Sequence, residues 1–210
     1  QNKHSERWAK WQKLAEEEID AIRTGKIGEM QTRDERAKTL RTQFGWETDD
    51  ARSAIAIEES NILVNRIKGR QYVEEVLDHI KSGFREAVHA SVLAKEPAYG
   101  LKVNLEDITV HEDPVHRGPA QILPMTWRPI WACLLLSDPK LLEPLLSFEC
   151  KVPNDFVSSV LSTVQKRRGR VLDMTTEEDM MIVKAEMPVS ESFGIAEELR
   201  SSTQGRAFWA

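Results

Sequence analysis

The chain has 210 residues, of which 40% are hydrophobic and 30% charged, a balance that excludes a disordered chain and supplies a core for one large or two small domains. Its net charge of −5 excludes a general nucleic-acid coat, which collects positive charge to neutralise phosphates, so any contact with RNA must be local. The longest apolar run, Ile130 to Leu136, is far below the roughly 20 residues of a bilayer span, and the opening QNKHSERWAK has no apolar signal core; a cytoplasmic protein with reduced, buried Cys133 and Cys150 is expected, with no membrane role.

The first third reads as helical. KLAEEEIDAIRTGKIG spaces Leu14, Ile19 and Ile22 on one face and stops at Gly25, and RDERAKTLRTQFGW repeats the pattern with Ala37, Leu40 and Phe44 before Gly45. NILVNRIKG has the β-branched density of a strand ending at Gly69. In QYVEEVLDHIKSGFREAVHASVLAKE, the residues Val73, Val76, Leu77, Ile80, Phe84 and Val88 make the longest apolar stripe and predict the longest helix. LKVNLEDITVHED alternates through Leu101, Val103 and Leu105 and then shifts phase at Ile108 and Val110, which predicts a strand with a bulge. Pro114, Gly118 and Pro119 then enforce a tight connection. AQIL is predicted to return as a short strand, and WRPIWACLLLSDP as a buried helix with Pro129 in its first turn and Pro139 as its stop.

After SDPKLLEP the pattern changes. LLSFECKVP predicts a strand, NDFVSSVLSTVQKRRG a helix opened by Asn154 or Asp155 and closed by Gly169, RVLDMT and MMIVKAEMP two strands around the acidic turn TEED, VSESFGIAEELRSST a helix, and GRAFWA a last strand. The order β-α-β-β-α-β is the split βαβ plan of a ferredoxin-like domain. The fold class expected is therefore α+β with two domains, 1–139 and 140–210.

Three stretches could carry chemistry. HEDPVHRG offers His111, Glu112, Asp113 and His116 as ligands of a metal-dependent hydrolase, yet His-x4-His on a loop matches neither the His-x3-His of helical zinc proteases nor a cysteine-bearing zinc pattern. The plainer reading makes His111 a strand-edge residue and His116 a solvated turn residue. QKRRGR gathers Lys166, Arg167, Arg168 and Arg170 at a helix C-terminus, where the dipole alone favours cations by about 0.3–1 kcal/mol each; a phosphate-binding patch is the alternative. NKHSERWAKW mixes Lys3, His4, Arg7 and Lys10 with Trp8 and Trp11, able to stack on bases or to pack on a core. No Gly-x4-Gly-Lys-Ser/Thr loop occurs, so the chain has no P-loop for a nucleotide. An acidic protein-binding module remains the third class.

HEDPVHRGPAQILP followed by LLEPL, VPNDFVSSVLSTVQKRRGRVLD, PVSESFGIAEELRSSTQGRAFW and the opening NKH, in that order, resemble the C-terminal half of the elongation factor 2 family, archaeal type, the ribosomal translocases related to elongation factor G. The resemblance covers essentially the whole chain. It implies that 1–139 correspond to the family's domain IV, with a core similar to a domain of ribosomal protein S5 plus a helical insertion, and that 140–210 correspond to its ferredoxin-like domain V. The histidine of the family's HRG loop, converted to diphthamide and attacked by ADP-ribosylating toxins, matches His116. Asp113, Pro114, Val115, Arg117 and Gly118 would shape that loop, Arg117 reaching phosphates beside His116, with Asn2, Lys3 and His4 at the same tip. Lys166, Arg167, Arg168 and Arg170 become candidates for contact with the ribosome. The implied partners are the ribosome, ribosomal RNA, the tRNA–mRNA helix and the diphthamide-synthesis enzymes, met by a monomer. GTP and magnesium would belong to a preceding domain, leaving this segment without cofactor or catalysis. Where the family reads PTARR or PATRN after the loop, this chain reads PMTWRP, with Trp127 for an arginine and Pro129 where a helix is expected.

Overall fold

The structure, a computed structural model, describes residues 6–210. It divides into two compact units, one running to Leu141 and the other from Leu142, and is α+β throughout.

In the first unit, strand β1 (Glu6–Lys13) pairs antiparallel with β4 (Leu101–Thr109), β4 parallel with β3 (Asn61–Asn65), and β3 antiparallel with β2 (Ala54–Glu58), giving the order β1-β4-β3-β2. Ile62, Leu63 and Val64 are all fully buried, as an inner strand covered on both faces requires. Trp8 faces Asp107 but Ala9 faces Leu105, so Glu106 is the extra residue of a bulge. That accounts for the shift in apolar phase before Ile108.

One face of this sheet is covered by α1 (Glu16–Arg23), α2 (Arg33–Phe44) and α3 (Thr48–Arg52), with Leu14, Ile19, Ile22, Ala37, Leu40 and Ile57 in the shared core. The Thr32 hydroxyl accepts from the Glu35 amide while the Glu35 carboxylate accepts from the Thr32 amide, a reciprocal cap that starts α2; Gly45, at φ +67°, ends it. The other face is covered by α4 (Val73–His89) and α5 (Pro119–Leu135), which enclose Leu63, Val103, Leu105, Val76, Ile80, Phe84, Ile122 and Ile130.

Helix α5 corrects two expectations. AQIL is not a strand, and Pro129 is not in a first turn: Pro119 opens the helix behind Gly118, and Pro124 and Pro129 both lie inside it. Each internal proline costs about 3 kcal/mol in helix propensity. Against that, Ile122, Thr126, Ile130 and Leu134 recur every fourth residue and are buried. The three aliphatic side chains gain about 1.5–3 kcal/mol each on burial, which offsets the two prolines. Helices α4 and α5 touch in step, through Gly83 against Thr126 and a bond from Trp131 Nε1 to the Ala87 carbonyl (3.0 Å). Trp127 stacks obliquely on Trp131, with ring centroids 6.1 Å apart, and packs on the same core.

The second unit runs β5 (Leu145–Pro153), α6 (Val157–Lys166), β6 (Arg170–Glu177), β7 (Met180–Pro188), α7 (Val189–Ser192), α8 (Ile195–Ser202) and β8 (Phe208–Trp209). Its sheet order is β6-β7-β5-β8 with every neighbour antiparallel, the split βαβ arrangement. The core joins Cys150, Val152, Val160, Val164, Val183, Met187 and Leu199. Two details differ from the sequence expectation. A short 3-10 turn, Asn154–Phe156, precedes α6 and neither Asn154 nor Asp155 caps it; and the helix expected over 189–203 breaks into α7 and α8 at Phe193 and Gly194, the latter at φ +76°.

Of the two thiols, Cys150 is fully buried whereas Cys133 is only half-buried, its sulfur 3.7 Å from the Ala9 carbonyl. Burial pushes the Cys150 thiol up to about 11. A disulfide-exchange reagent at pH 8 is therefore expected to titrate at most Cys133 quickly in the folded chain, and both cysteines once denaturant is added. Fast reaction of both without denaturant would contradict the packing around Cys150.

Candidate functional site

Strand β4 ends at Thr109, and the nine residues that follow lead into α5 through a turn that bonds to itself. The Asp113 amide donates to His111 Nδ1 (3.0 Å), the Asp113 carboxylate accepts from the Val115 amide (3.0 Å), and the His116 amide donates to the Asp113 carbonyl (3.0 Å). Pro114 fixes φ at the head of the resulting 3-10 turn, Pro114–Arg117. The Gly118 carbonyl then receives the amides of Gln121 and Ile122 and starts α5. Asp113 thus acts as a local cap, which explains an acidic residue just before the Pro-Val-His-Arg run.

The turn sorts its side chains. Val115 is 77% exposed, and Asp113 and Pro114 also face solvent. The His116 side chain is 38% exposed, lies edge-on against His111 with centroids 4.7 Å apart, and places Nε2 4.0 Å from Asp113 Oδ2. It is a half-seated imidazole rather than one standing clear of the protein.

Arg117 departs from expectation: it is buried, its guanidinium carbon 4.2 Å from the Tyr72 ring centroid and its Nη1 3.1 Å from a Glu75 carboxylate oxygen. The cation is thus held inward, between the start of α4 and the loop, and not directed at solvent. Tyr72 and Glu75 were not predicted as site residues. They lie more than 40 positions away in sequence, and no local pattern marks them.

The metal reading finds no geometry. Among the described residues no three His, Cys, Asp or Glu side chains converge as ligands, and in His111 the Nδ1 lone pair already accepts a backbone amide.

Asn2, Lys3 and His4 lie outside the described residues. The strand they lead into begins with Glu6 in register with Thr109, the last residue of β4.

In the second unit the basic run is largely neutralised. Arg167 donates to Glu198 (2.8 Å) and to the Phe193 and Glu191 carbonyls, tying α6 to the α7–α8 break. Arg168 meets both oxygens of Glu143 (2.9 Å each) and Glu191 (3.1 Å), contacts that raise its pKa further and hold the Glu143 carboxyl below its ordinary range. Arg170 pairs more loosely with Glu186 (3.3 Å), and Lys166 is exposed. Of the four cations, Arg167 is the one drawn inward; Lys166, Arg168 and Arg170 stay exposed, the latter two with carboxylates beside them.

Comparison with known proteins gives matches to two family models, one described as elongation factor G, domain IV, over residues 26–138, and one described as elongation factor G C-terminus, over residues 140–210. Elongation factor 2 of Pyrobaculum arsenaticum is 46% identical over 211 aligned residues, covering 100% of this chain and 28% of that protein. The elongation factor 2 of Metallosphaera sedula is 44% identical over 209 residues, covering 99% of this chain and 28% of its own. The chain thus spans little more than a quarter of the length of these relatives.

Proposed function

The chain belongs to the elongation factor G and elongation factor 2 family of translation factors, and from that premise we propose that it supplies the decoding-end and C-terminal domains, 1–139 and 140–210, of a GTP-dependent ribosomal translocase. In this reading the loop around Pro114–Arg117 is the tip that enters the decoding region, and His116 is the residue converted to diphthamide. The observation that carries it is the sorting within one self-capped turn: Val115 outward, His116 half-exposed, Arg117 inward. A turn already closed by its own bonds loses little freedom when it enters a crowded RNA groove. The groove it would meet, the shallow face of an A-form codon–anticodon helix, is read by shape and by its 2′-hydroxyls rather than by sequence.

The acidic net charge is compatible with this, because one local contact suffices. With Arg117 turned inward, positive charge at the tip would come from the modification on His116 and from Lys3. Lys166, Arg168 and Arg170, all exposed, remain candidates for a second contact with the ribosome. GTP and magnesium would be bound by another part of the complete factor, and the diphthamide-synthesis enzymes would have to recognise this loop.

Peptide mass spectrometry of residues 111–128 from protein made in an archaeal host is expected to show the added mass on His116. His116→Ala in the complete factor is expected to slow translocation or raise frameshifting, while the melting temperature of the 210-residue chain moves by less than about 2 °C, since a half-exposed ring contributes little to the core. An unmodified His116 together with unchanged translocation in the variant would remove this reading.

A further inference from the structure

A buried arginine ordinarily directs its N–H groups at oxygen acceptors. Arg117 does not: its side chain is 8% exposed, yet neither Nε nor Nη1 has a hydrogen-bond partner among the described residues. The Glu75 carboxylate stands 3.1 Å from Nη1 but off the N–H direction, so that contact is electrostatic. What the guanidinium does have is the face of Tyr72. Tyr72 is itself unusual, with φ at +62° directly before the first turn of α4 and no side-chain bond capping the helix. A bulky residue in the left-handed region carries strain that persists only where its surroundings impose it. Among the described residues, this cation short of acceptors and the left-handed aromatic are in contact with each other.

We propose that Arg117 seated on Tyr72 is the clamp that orients the His116 loop, the two acting as positioning residues for the tip. The inference rests on the reading of His116 given above. Successive residues of a 3-10 turn point about 120° apart, so drawing Arg117 inward turns Val115 and His116 to the other two directions, Val115 into solvent and His116 half-exposed. Because α4 and α5 pack in step at Gly83–Thr126 and Ala87–Trp131, their N-terminal ends lie together, and the clamp ties the start of α4 to the turn that opens α5. The left-handed Tyr72 presents its ring at that junction. The guanidinium carbon sits over its face, 4.2 Å from the centroid, and a planar guanidinium can stack on a ring as a lysine ammonium cannot.

Amide exchange tests this directly, because the Val115 and His116 amides are bonded only while the turn is closed. In the 210-residue chain, Tyr72→Leu is expected to speed exchange at these two amides by about tenfold or more, with core amides such as Phe84 unchanged. Tyr72→Phe, which keeps the ring face, is expected to remain within about twofold of the parent. Tyr72→Gly separates the clamp from mere backbone strain: glycine relieves the left-handed φ, so a purely conformational role predicts equal or slower exchange, and the clamp predicts the same acceleration as leucine. Should Tyr72→Leu fail to fold, Arg117→Lys keeps the charge but not the planar group over the ring, and should still speed the two amides several-fold. Unchanged exchange in the leucine, glycine or lysine variant overturns the clamp. The second readout is the modified fraction of His116 in an archaeal host, expected to fall in Tyr72→Leu and to hold in Tyr72→Phe; equal modification in the two would count against positioning. Accelerated exchange in a protein whose parent form carries no modification would leave the clamp standing and dismiss the role assigned to His116.

Discussion

Asp50→Ala is expected to be among the most damaging single substitutions in the first unit, at about 3 kcal/mol, or roughly 10 °C in melting temperature. Asp50 is 7% exposed and receives three charged hydrogen bonds, two from Arg66 (2.8 and 2.7 Å) and one from Lys102 (2.7 Å). Among the described residues, removing it leaves Arg66 with Glu106 (3.0 Å) as its remaining carboxylate, and leaves Lys102, whose side chain is 13% exposed, with only the Trp46 ring, 3.9 Å from its ammonium. The cost comes mainly from that stranded ammonium. The double variant Asp50→Ala/Lys102→Met should therefore recover about half of the loss; a double variant no better than the single one would place the damage elsewhere.

The same residue sets an acid limb. Hydrogen bonds from Arg66, and then the bond and charge of Lys102, hold the Asp50 carboxyl at about 2, below its ordinary 3.8. A carboxyl depressed in the folded state binds its proton more readily when unfolded, so its contribution is complete above about pH 4 and is lost as pH falls from there toward 2. The gap in stability between the parent chain and Asp50→Ala should narrow across that window. A gap constant from pH 6 to pH 2.5 would show that the ion cluster is not the source of the difference.

The second large effect is expected at Gly83. Alanine in the middle of a helix normally gains about 1 kcal/mol over glycine. Here the new methyl carbon would lie 2.7 Å from Thr126 Cβ, 3.0 Å from its hydroxyl and 3.2 Å from the Leu123 carbonyl. None of these is the loose end of a flexible chain, so the helices must separate. Overpacking of this kind costs about 1–3 kcal/mol and can cost more, which outweighs the propensity gain. Gly83→Ala should thus destabilise, lowering the melting temperature by several degrees. It should do so far less in a Thr126→Gly background, where the opposing carbon is gone; simple additivity of the two changes would refute the close-approach account. Because the same two helices carry Tyr72 and the turn into Pro119, widening them at Gly83 is also expected to loosen the His116 loop.

Much of the fold was legible because burial is periodic. Leu14, Ile19 and Ile22, the Val73–Val88 stripe and the alternating Leu101–Leu105 each marked an element at the right place, and Glu106 is the bulge that the phase shift implied. Strand β1 was not read as a strand, since in RWAKWQK the charged residues mask an alternation that only pairing with β4 makes useful. Helix α5 differs from the sequence expectation at Ala120–Leu123 and at Pro129 because local proline rules are correct about local cost and silent about a partner helix.

The site divides in the same way. His116 and the turn residues around it could be found from sequence, because a proline, a capping aspartate and a glycine act on neighbours within a few positions. The directions of Arg117 and Arg167 could not. Both read as surface cations, and both are drawn inward by partners far along the chain, Tyr72 and Glu75 for one, Glu198 and the Phe193 carbonyl for the other. Sequence alone determined the periodic elements, their β-α-β-β-α-β order in the second half and the family resemblance, all of which depend on short-range pattern or motif order. The tertiary structure decided which charges remain outward, because the energy of a cation depends on what surrounds it in space, and those neighbours are assembled only when the chain has folded.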